Sequence, residues 1–423
     1  VIKSPSSHGM ARRLAAQAAV EEAAHPVATP AAGGAAQGQS QASLQVLIES
    51  RAIWCAIGGA VIGLGVGFFA FTGSRPPLAG EDSIQVFGSI VGGVTAALAF
   101  LLGFSLNTRL ANIWLGERPR IRQVMDTVAL LVVHASIAVM VSLGLFRVFQ
   151  QAFIGLTVDH IAGSVLLAIV GGISGYFSFN SGARINAFTL STLLAMFMVS
   201  GVLVSMIFAE NPFWWHVMFS ELGTGAAGLT SFWTFNTTLV VSGTIITTLT
   251  AFITRDLEVW SEYITTTRAA KLEQRQSGQR RSDGHLPWWA RLRAAWSRHV
   301  SRPRIGMIRA VMIGMGISLA GVGLVPISLQ HDVHVLFTAA FGLSFLVLLA
   351  GIPYLLPGFP RTFYLISYIS AAAVIFAVAL WEPIGYYNLT SLELIGAAVL
   401  FSWMVVFIRN IAALVAQLRG PQL

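Results

Sequence analysis

The sequence predicts an all-α fold: a polytopic transmembrane helix bundle of about ten spans, with both termini cytoplasmic. Three observations carry this. The first is composition. Of 423 residues, 55% are hydrophobic and only 10% charged, with a mean hydropathy of +0.72, whereas a soluble domain carries about 25% charged residues. So little charge cannot cover a water-facing surface, and the expected partner of most of the chain is the lipid bilayer. The second is a series of ten apolar runs, at 52–71, 84–106, 124–146, 161–179, 185–208, 232–253, 308–327, 335–355, 363–380 and 392–408. A helix rising ~1.5 Å per residue needs about 20 apolar residues to cross ~30 Å of hydrocarbon. The runs are continuous rather than alternating, which selects helices over a barrel. The third is the placement of cations. With both tails inside, only Arg75 and Arg147 of the 26 Lys and Arg fall outside, leaving 24 on the cytoplasmic side, as the positive-inside rule requires. The same bias accounts for the net charge of +8, so no nucleic acid is expected as a partner.

Residues 1–50 are rich in Ala, Gly, Gln, Ser and Pro, with few large apolar groups. They read as a disordered cytoplasmic tail. The first four runs form a four-span unit, 51–184. Gly59, Gly63 and Gly67 recur every fourth residue in the first run, Gly88 and Gly92 in the second, Gly171 and Gly175 in the fourth. Small residues at that spacing let helix backbones approach closely. The primary reading is packing within the bundle, and a homo-oligomer contact is the other. Cys55 is the single cysteine. It excludes an internal disulfide and any cysteine-based zinc or iron–sulfur cluster, and reads as a small buried hydrophobe. Asp126 lies near the inner end of the third run and His134 at mid-depth. Ionisable groups at the membrane centre cost about 2.5–3.5 kcal/mol on insertion scales. The two read as steps of a proton path, or else as a carboxylate reaching the interface and a neutral histidine with one partner. With no second mid-depth histidine, a haem pair is not expected; no cofactor or metal is assigned.

Residues 185–423 form a six-span unit, with a basic cytoplasmic loop at 254–304 holding eleven Lys or Arg and five acids. The middle of this loop reads as a solvated linker. Its end, "LPWWARLRAAWSRHVSRPR", places Trp288, Trp289 and Trp296 on one helical side, with Arg291 and Arg293 supplying charge. That pattern suits a membrane-surface helix against anionic lipid headgroups over 286–304.

Between the fifth and sixth runs lies "ENPFWWHVMFSELGTG", residues 210–225. Asn211 suits a helix N-cap, Pro212 the first turn and Gly223 the C-terminal reversal. About ten helical residues give ~15 Å, half a crossing. The segment reads as a short helix, either anchored at the outer surface by Phe213, Trp214, Trp215 and Phe219 or dipping into a vestibule. The sixth run carries two hydroxyl stripes, Ser231/Thr234/Thr238/Ser242 and Thr237/Thr244/Thr248. Such hydroxyls seek interhelical partners or a wet cavity, or bond back to their own helix. Ser220, Thr234, Asn236, Thr238 and Ser242 are therefore the candidate substrate-binding residues. The outer loops hold His216, Glu221, Asp332 and His334, candidates for a general acid, a base or metal ligands. Their spacing matches no zinc motif, and sorting of cations to the inside by itself leaves acids concentrated outside. A P-loop, a dinucleotide fingerprint and a G-x-S-x-G elbow are absent from the sequence, so an ATPase or α/β-hydrolase is not supported.

Three stretches carry a resemblance: "FSELGTG", "FWTFNTTLVVSG" and "GVGLVPISLQHDVHVLFTAAFG". On these, residues 185–423 resemble the six-span domain-of-unknown-function 998 membrane family. More distantly they are similar to autophagy-modulator and GPI-anchor-remodelling membrane proteins. Ser220, Glu221, Gly223, Asn236, Pro326, His331 and His334 match its pattern. The resemblance implies a six-span membrane unit and no established reaction; a lipid-linked role follows by analogy alone. The expected function is transporter- or permease-like, or lipid-handling, with an outward-facing vestibule. The alternatives are a membrane-embedded lipid-modifying enzyme and a structural or regulatory membrane partner. The Ala-rich start and the preference for Arg over Lys suit a high-GC bacterium, hence a bacterial inner (plasma) membrane.

Overall fold

A backbone that enters hydrocarbon has no water to bond and must bond itself, and each of the ten apolar runs accordingly forms one helix. A computed structural model describes residues 31–108, 119–279 and 303–418. The helices are α1 Ala31–Phe71, α2 Ile84–Gly103, α3 Arg120–Ala152, α4 His160–Ala183, α5 Ala187–Ile207, α6 Leu229–Gln279, α7 Ile305–Leu324, α8 His331–Leu355, α9 Arg361–Trp381 and α10 Leu389–Leu418. All ten are long and apolar enough to cross a membrane. Among the described residues there is no strand, only one isolated bridge between Pro77 and Thr157. The chain is an integral, multi-pass α-helical membrane protein.

Polar caps set several helix starts. The Ser83 hydroxyl accepts the Val86 N–H ahead of α2, and Asp159 accepts the Ile161 and Ala162 N–H groups ahead of α4. Asn186 and Thr189 form a reciprocal capping box at α5. Two boundaries differ from the sequence expectation. α1 begins at Ala31, so residues 31–50 are helical rather than part of a disordered tail; residues 1–30 lie outside the described part. α6 runs on to Gln279, so the first half of the expected 254–304 linker is helix. The physical reason is common to both. Extending a helix from a membrane-held stretch needs no new nucleus, and Ala, Gln, Glu, Arg and Lys are good helix formers.

Residues Ile48–Pro421 make one large unit, in which α3 packs on α2 and also on α5 and α6. Val1–Leu47 and Gln422–Leu423 form a separate unit, described only as the helical start from Ala31. α6 is the central helix: 72% of its most apolar stretch is buried, against 22% for α1 and for α8. Large apolar side chains such as Phe69, 83% exposed, and Leu336, 66% exposed, point outward, a surface tolerable only in lipid.

Glycine allows the closest contacts. A Cβ on Gly59 would run into the Gly171 carbonyl, one on Gly63 into the Leu167 carbonyl, and one on Gly175 would lie 2.6 Å from the Cys55 carbonyl oxygen. α1 is thus held to α4 by the repeat seen in the sequence, and these glycines are spent inside the chain. Gly243 of α6 and Gly316 of α7 meet in the same backbone-to-backbone way. At one end of the bundle, Arg304 joins α7 to the last turn of α8. Its guanidinium lies 3.6 Å from the Tyr354 ring centre and donates to the Tyr354 carbonyl at 2.6 Å. An aromatic stack of Phe359, Phe363, Trp403 and Phe407 locks α9 to α10. There the Trp403 indole N–H donates to the Ser367 hydroxyl at 2.8 Å.

Gly59→Val should destabilise the detergent-solubilised protein by about 1–3 kcal/mol through overpacking. Gly58→Val, at the neighbouring position with open space around it, should be nearly neutral. Thermal unfolding of the two variants side by side checks this.

Candidate functional site

The opposite end of the bundle carries residues 208–228, the longest irregular connection between two spans among the described residues. The expected ten-residue helix does not form. Asn211 accepts the Phe213 N–H at 2.9 Å in a tight local turn, and the chain continues through three short 3-10 turns, Trp214–His216, Phe219–Gly223 and Gly225–Ala227. Gly228, at φ +92°, reverses it into α6, a conformation that favours glycine. The helix loses because neighbouring side chains satisfy the loop's backbone instead. Ser231 donates to the Leu222 carbonyl at 3.0 Å and Asn236 to the Gly223 carbonyl at 3.0 Å, both from α6. Asn388, just before α10, donates to the Trp215 carbonyl at 2.8 Å. Glu393 of α10 accepts the Phe219 N–H at 2.6 Å. The Glu210 N–H donates to the Ala227 carbonyl at 2.9 Å and closes the base.

Apolar contacts seat the same loop. Phe219 and Leu222 are buried, and the Phe219 ring meets Phe235 edge-on at 5.2 Å. Phe213, Trp215 and Val217 point outward, as side chains that prefer a membrane interface do. Both sequence readings therefore describe part of the loop: one side anchors outward, the other sinks between α6 and α10.

Asn236 is the hub of this end. Beyond its bond to Gly223, it donates to the Phe232 carbonyl at 2.9 Å. Its own carbonyl lies so close to Gly323 of α7 that a Cβ there would come within 2.5 Å. Two residues on, the Val325 carbonyl accepts the His334 Nδ1 proton at 2.8 Å. The three stretches that carried the family resemblance thus meet at one junction.

The four catalytic candidates have different surroundings. His216 is exposed and its ring lies against Trp215, tilted by 46° with ring centres 3.8 Å apart. Glu221 is partly buried in its 3-10 turn, and Asp332 is exposed in the first turn of α8. His334 is buried and committed to Val325. Among the described residues no three His, Cys, Asp or Glu gather as a metal would require. Helix and turn phase, which the sequence does not display, send these side chains to different surroundings.

The hydroxyl stripe follows the back-bonding reading over most of its length. Thr234 donates to the Thr230 carbonyl at 2.8 Å and pairs with Ser205 of α5 at 3.0 Å. Thr238 donates to the Thr234 carbonyl at 2.6 Å, and Thr244 to the Val240 carbonyl at 2.8 Å. Ser220 is buried against the loop's own turn. Ser242 differs: its hydroxyl is wholly buried and finds no partner among the described residues.

His134 is fixed on both sides of its ring. Nδ1–H donates to the Leu130 carbonyl at 2.7 Å, since a carbonyl only accepts, so Nε2 accepts the Ser181 hydroxyl at 2.8 Å. The ring stacks on Phe100 at 4.3 Å. It ties α2, α3 and α4 together, and neither ring nitrogen is used by Asp126, the other residue of the expected proton path. The membrane-surface residues Trp288, Trp289, Arg291, Arg293 and Trp296 lie outside the described residues.

Sequence reasoning did not single out Glu393. The available signal was its position, an acid at the very start of the last apolar run. Arg147 was counted only as an outer cation. Its guanidinium lies 5.5 Å from the Phe208 ring centre, at the entry to the loop, with a buried Nε that has no partner. No family model, curated protein or solved structure matches the chain. The family resemblance rests on its three short motifs alone.

Asn236→Leu keeps the volume but strips the Gly223 carbonyl of its donor. It should cost about 1–3 kcal/mol, read as a lowered unfolding temperature. A second test concerns Asp159, exposed at the N-cap of α4. Its amide bonds hold the carboxyl below the usual carboxylate range. Its contribution is therefore present above the ordinary Asp range and lost as pH falls through the lowered folded value. The melting-temperature difference between the native protein and Asp159→Ala should shrink on acidification.

Proposed function

We propose that the protein is transporter- or permease-like, or lipid-handling, with a route that opens between the 208–228 loop and the hydroxyl column of α6. The observation that supports this is Ser242. A buried hydroxyl with no partner costs about 1–3 kcal/mol, and an alanine at that position would avoid the cost. The column Ser231, Thr234, Thr238 and Ser242 descends from directly beneath the loop. If the loop lifts, water or a polar solute supplies the partners that the closed arrangement withholds. The loop is suited to lifting because side-chain bonds and short turns seat it, not a continuous helix.

The cation pattern supports an orientation with this loop outside, and with both tails and the 254–304 loop in the cytoplasm of a bacterial cell. The 286–304 segment would then rest on anionic headgroups. The junction at Asn236 favours treating residues 185–423 as one family-like unit, consistent with the resemblance. Nothing in the geometry favours the enzyme reading.

The test is reconstitution into liposomes, with a dye-quench assay for lipid movement and a panel of labelled small polar solutes for flux. Flux above empty liposomes is expected, falling several-fold in the Thr234→Val/Thr238→Val double variant. Flux unchanged in that variant removes the route; no flux of any probe removes the reading.

A further inference from the structure

Glu393 stands one turn inside α10, within the apolar stretch Leu389–Val415. Its carboxylate accepts the Phe219 N–H at 2.6 Å. That partner belongs to the loop, and among the described residues no cation pairs with Glu393. α10 and the segment before it thus grip the loop by two polar side chains. Asn388 is the other, and it carries no titrating group. Three residues before Glu393, hence on the same side of the helix, the Thr390 hydroxyl is buried without a partner.

We propose that Glu393 is a proton-binding site whose occupancy decides whether the 208–228 loop stays seated. The inference rests on the reading of that loop as a movable closure. A proton added to the carboxylate removes its charge and turns one accepting oxygen into an O–H donor facing an N–H donor. Hydrogen bonds to a charged acceptor are roughly twice as strong as neutral ones, and a buried amide left unpaired is costly. The new O–H has an alternative partner in the idle Thr390 hydroxyl. One proton therefore weakens the loop's hold and offers Glu393 another bond.

The other charged and titratable groups around this end are few: the connection before α10 also carries Tyr386 and Tyr387, and α9, packed against α10, carries Arg361, Tyr364 and Tyr368, all in its N-terminal half, towards the opposite end of the bundle. The loop itself carries Glu210, His216 and Glu221. Exposed Glu382 lies in the connection before α10, and Arg147 of α3 lies beside Phe208. α5 carries no charged residue, and α6 none before Arg255. On α8, His331 and Asp332 are exposed and His334 is bonded to Val325.

The experiment uses the full chain in liposomes, with Cys55→Ser to remove the native thiol. Ser220→Cys reports on the buried side of the loop, and Val217→Cys, at a 51% exposed position, reports on reagent chemistry. The ratio of their labelling rates by a membrane-impermeant maleimide is followed from about pH 8 to about pH 5, across the carboxylate and histidine ranges. The ratio should rise on acidification by up to about tenfold per pH unit, the limit for one proton. Glu393→Gln, which keeps an accepting oxygen but cannot titrate, should abolish the slope; Glu221→Gln should leave it intact. A flat ratio in the native background overturns the proposal, as does a slope that survives Glu393→Gln or disappears with Glu221→Gln. Labelling reads the loop directly, so failure here is distinct from failure to detect flux.

Discussion

Every amide and carbonyl that enters the hydrocarbon must find its partner inside the protein, and the rest of the structure is arranged around that demand. Ten helices meet it by bonding along their own axes. Among the described residues the longest irregular segment between spans meets it with borrowed groups: Ser231 and Asn236 from α6, Asn388 and Glu393 from the α10 side. The polar residues that look out of place in apolar runs are thus concentrated where the helix gives way. They are the substitute for water at the loop end.

Within the bundle, association depends on fit more than on burial, because lipid is as apolar as a leucine side chain. This is why glycine matters so much here. The Gly59/Gly171 and Gly243/Gly316 crossings bring backbone against backbone, and Gly323 admits the Asn236 carbonyl. The same logic makes His134 a fastening element. Buried between α2, α3 and α4 with both nitrogens bonded, it satisfies its own polarity by bridging helices. Of the two readings the sequence left open for this residue, a step for protons or a neutral histidine held by a partner, its contacts are those of the second.

Legibility from the sequence followed the range of the interaction. The Gly59/Gly63/Gly67 repeat was readable because α1 contributes a whole stripe to one neighbour. The back-bonding of Thr238 and Thr244 was readable as an option, since its partner lies four residues away. The exposure of His216 and Asp332 and the commitment of His334 to the Val325 carbonyl were not readable, because they depend on how two loops and the start of α8 are turned. Nor was the importance of Glu393, whose partner Phe219 lies 174 positions away in the chain. The long extensions of α1 and α6 were missed for a different reason. Composition described those residues as soluble, and soluble residues continue a helix readily once a neighbouring stretch is already helical.

By itself the sequence determined the solvent, the number of spans and the residues available for close packing. Each of these depends on local apolar length and on small residues at regular spacing, which any single segment displays. Tertiary structure alone decided that three distant stretches meet at Asn236, that the loop hangs on a carboxylate of the last helix, and that Ser242 is left without a partner. Those facts concern which side chain reaches which backbone group across helices, and helix phase and crossing geometry settle them only when all ten spans are packed together.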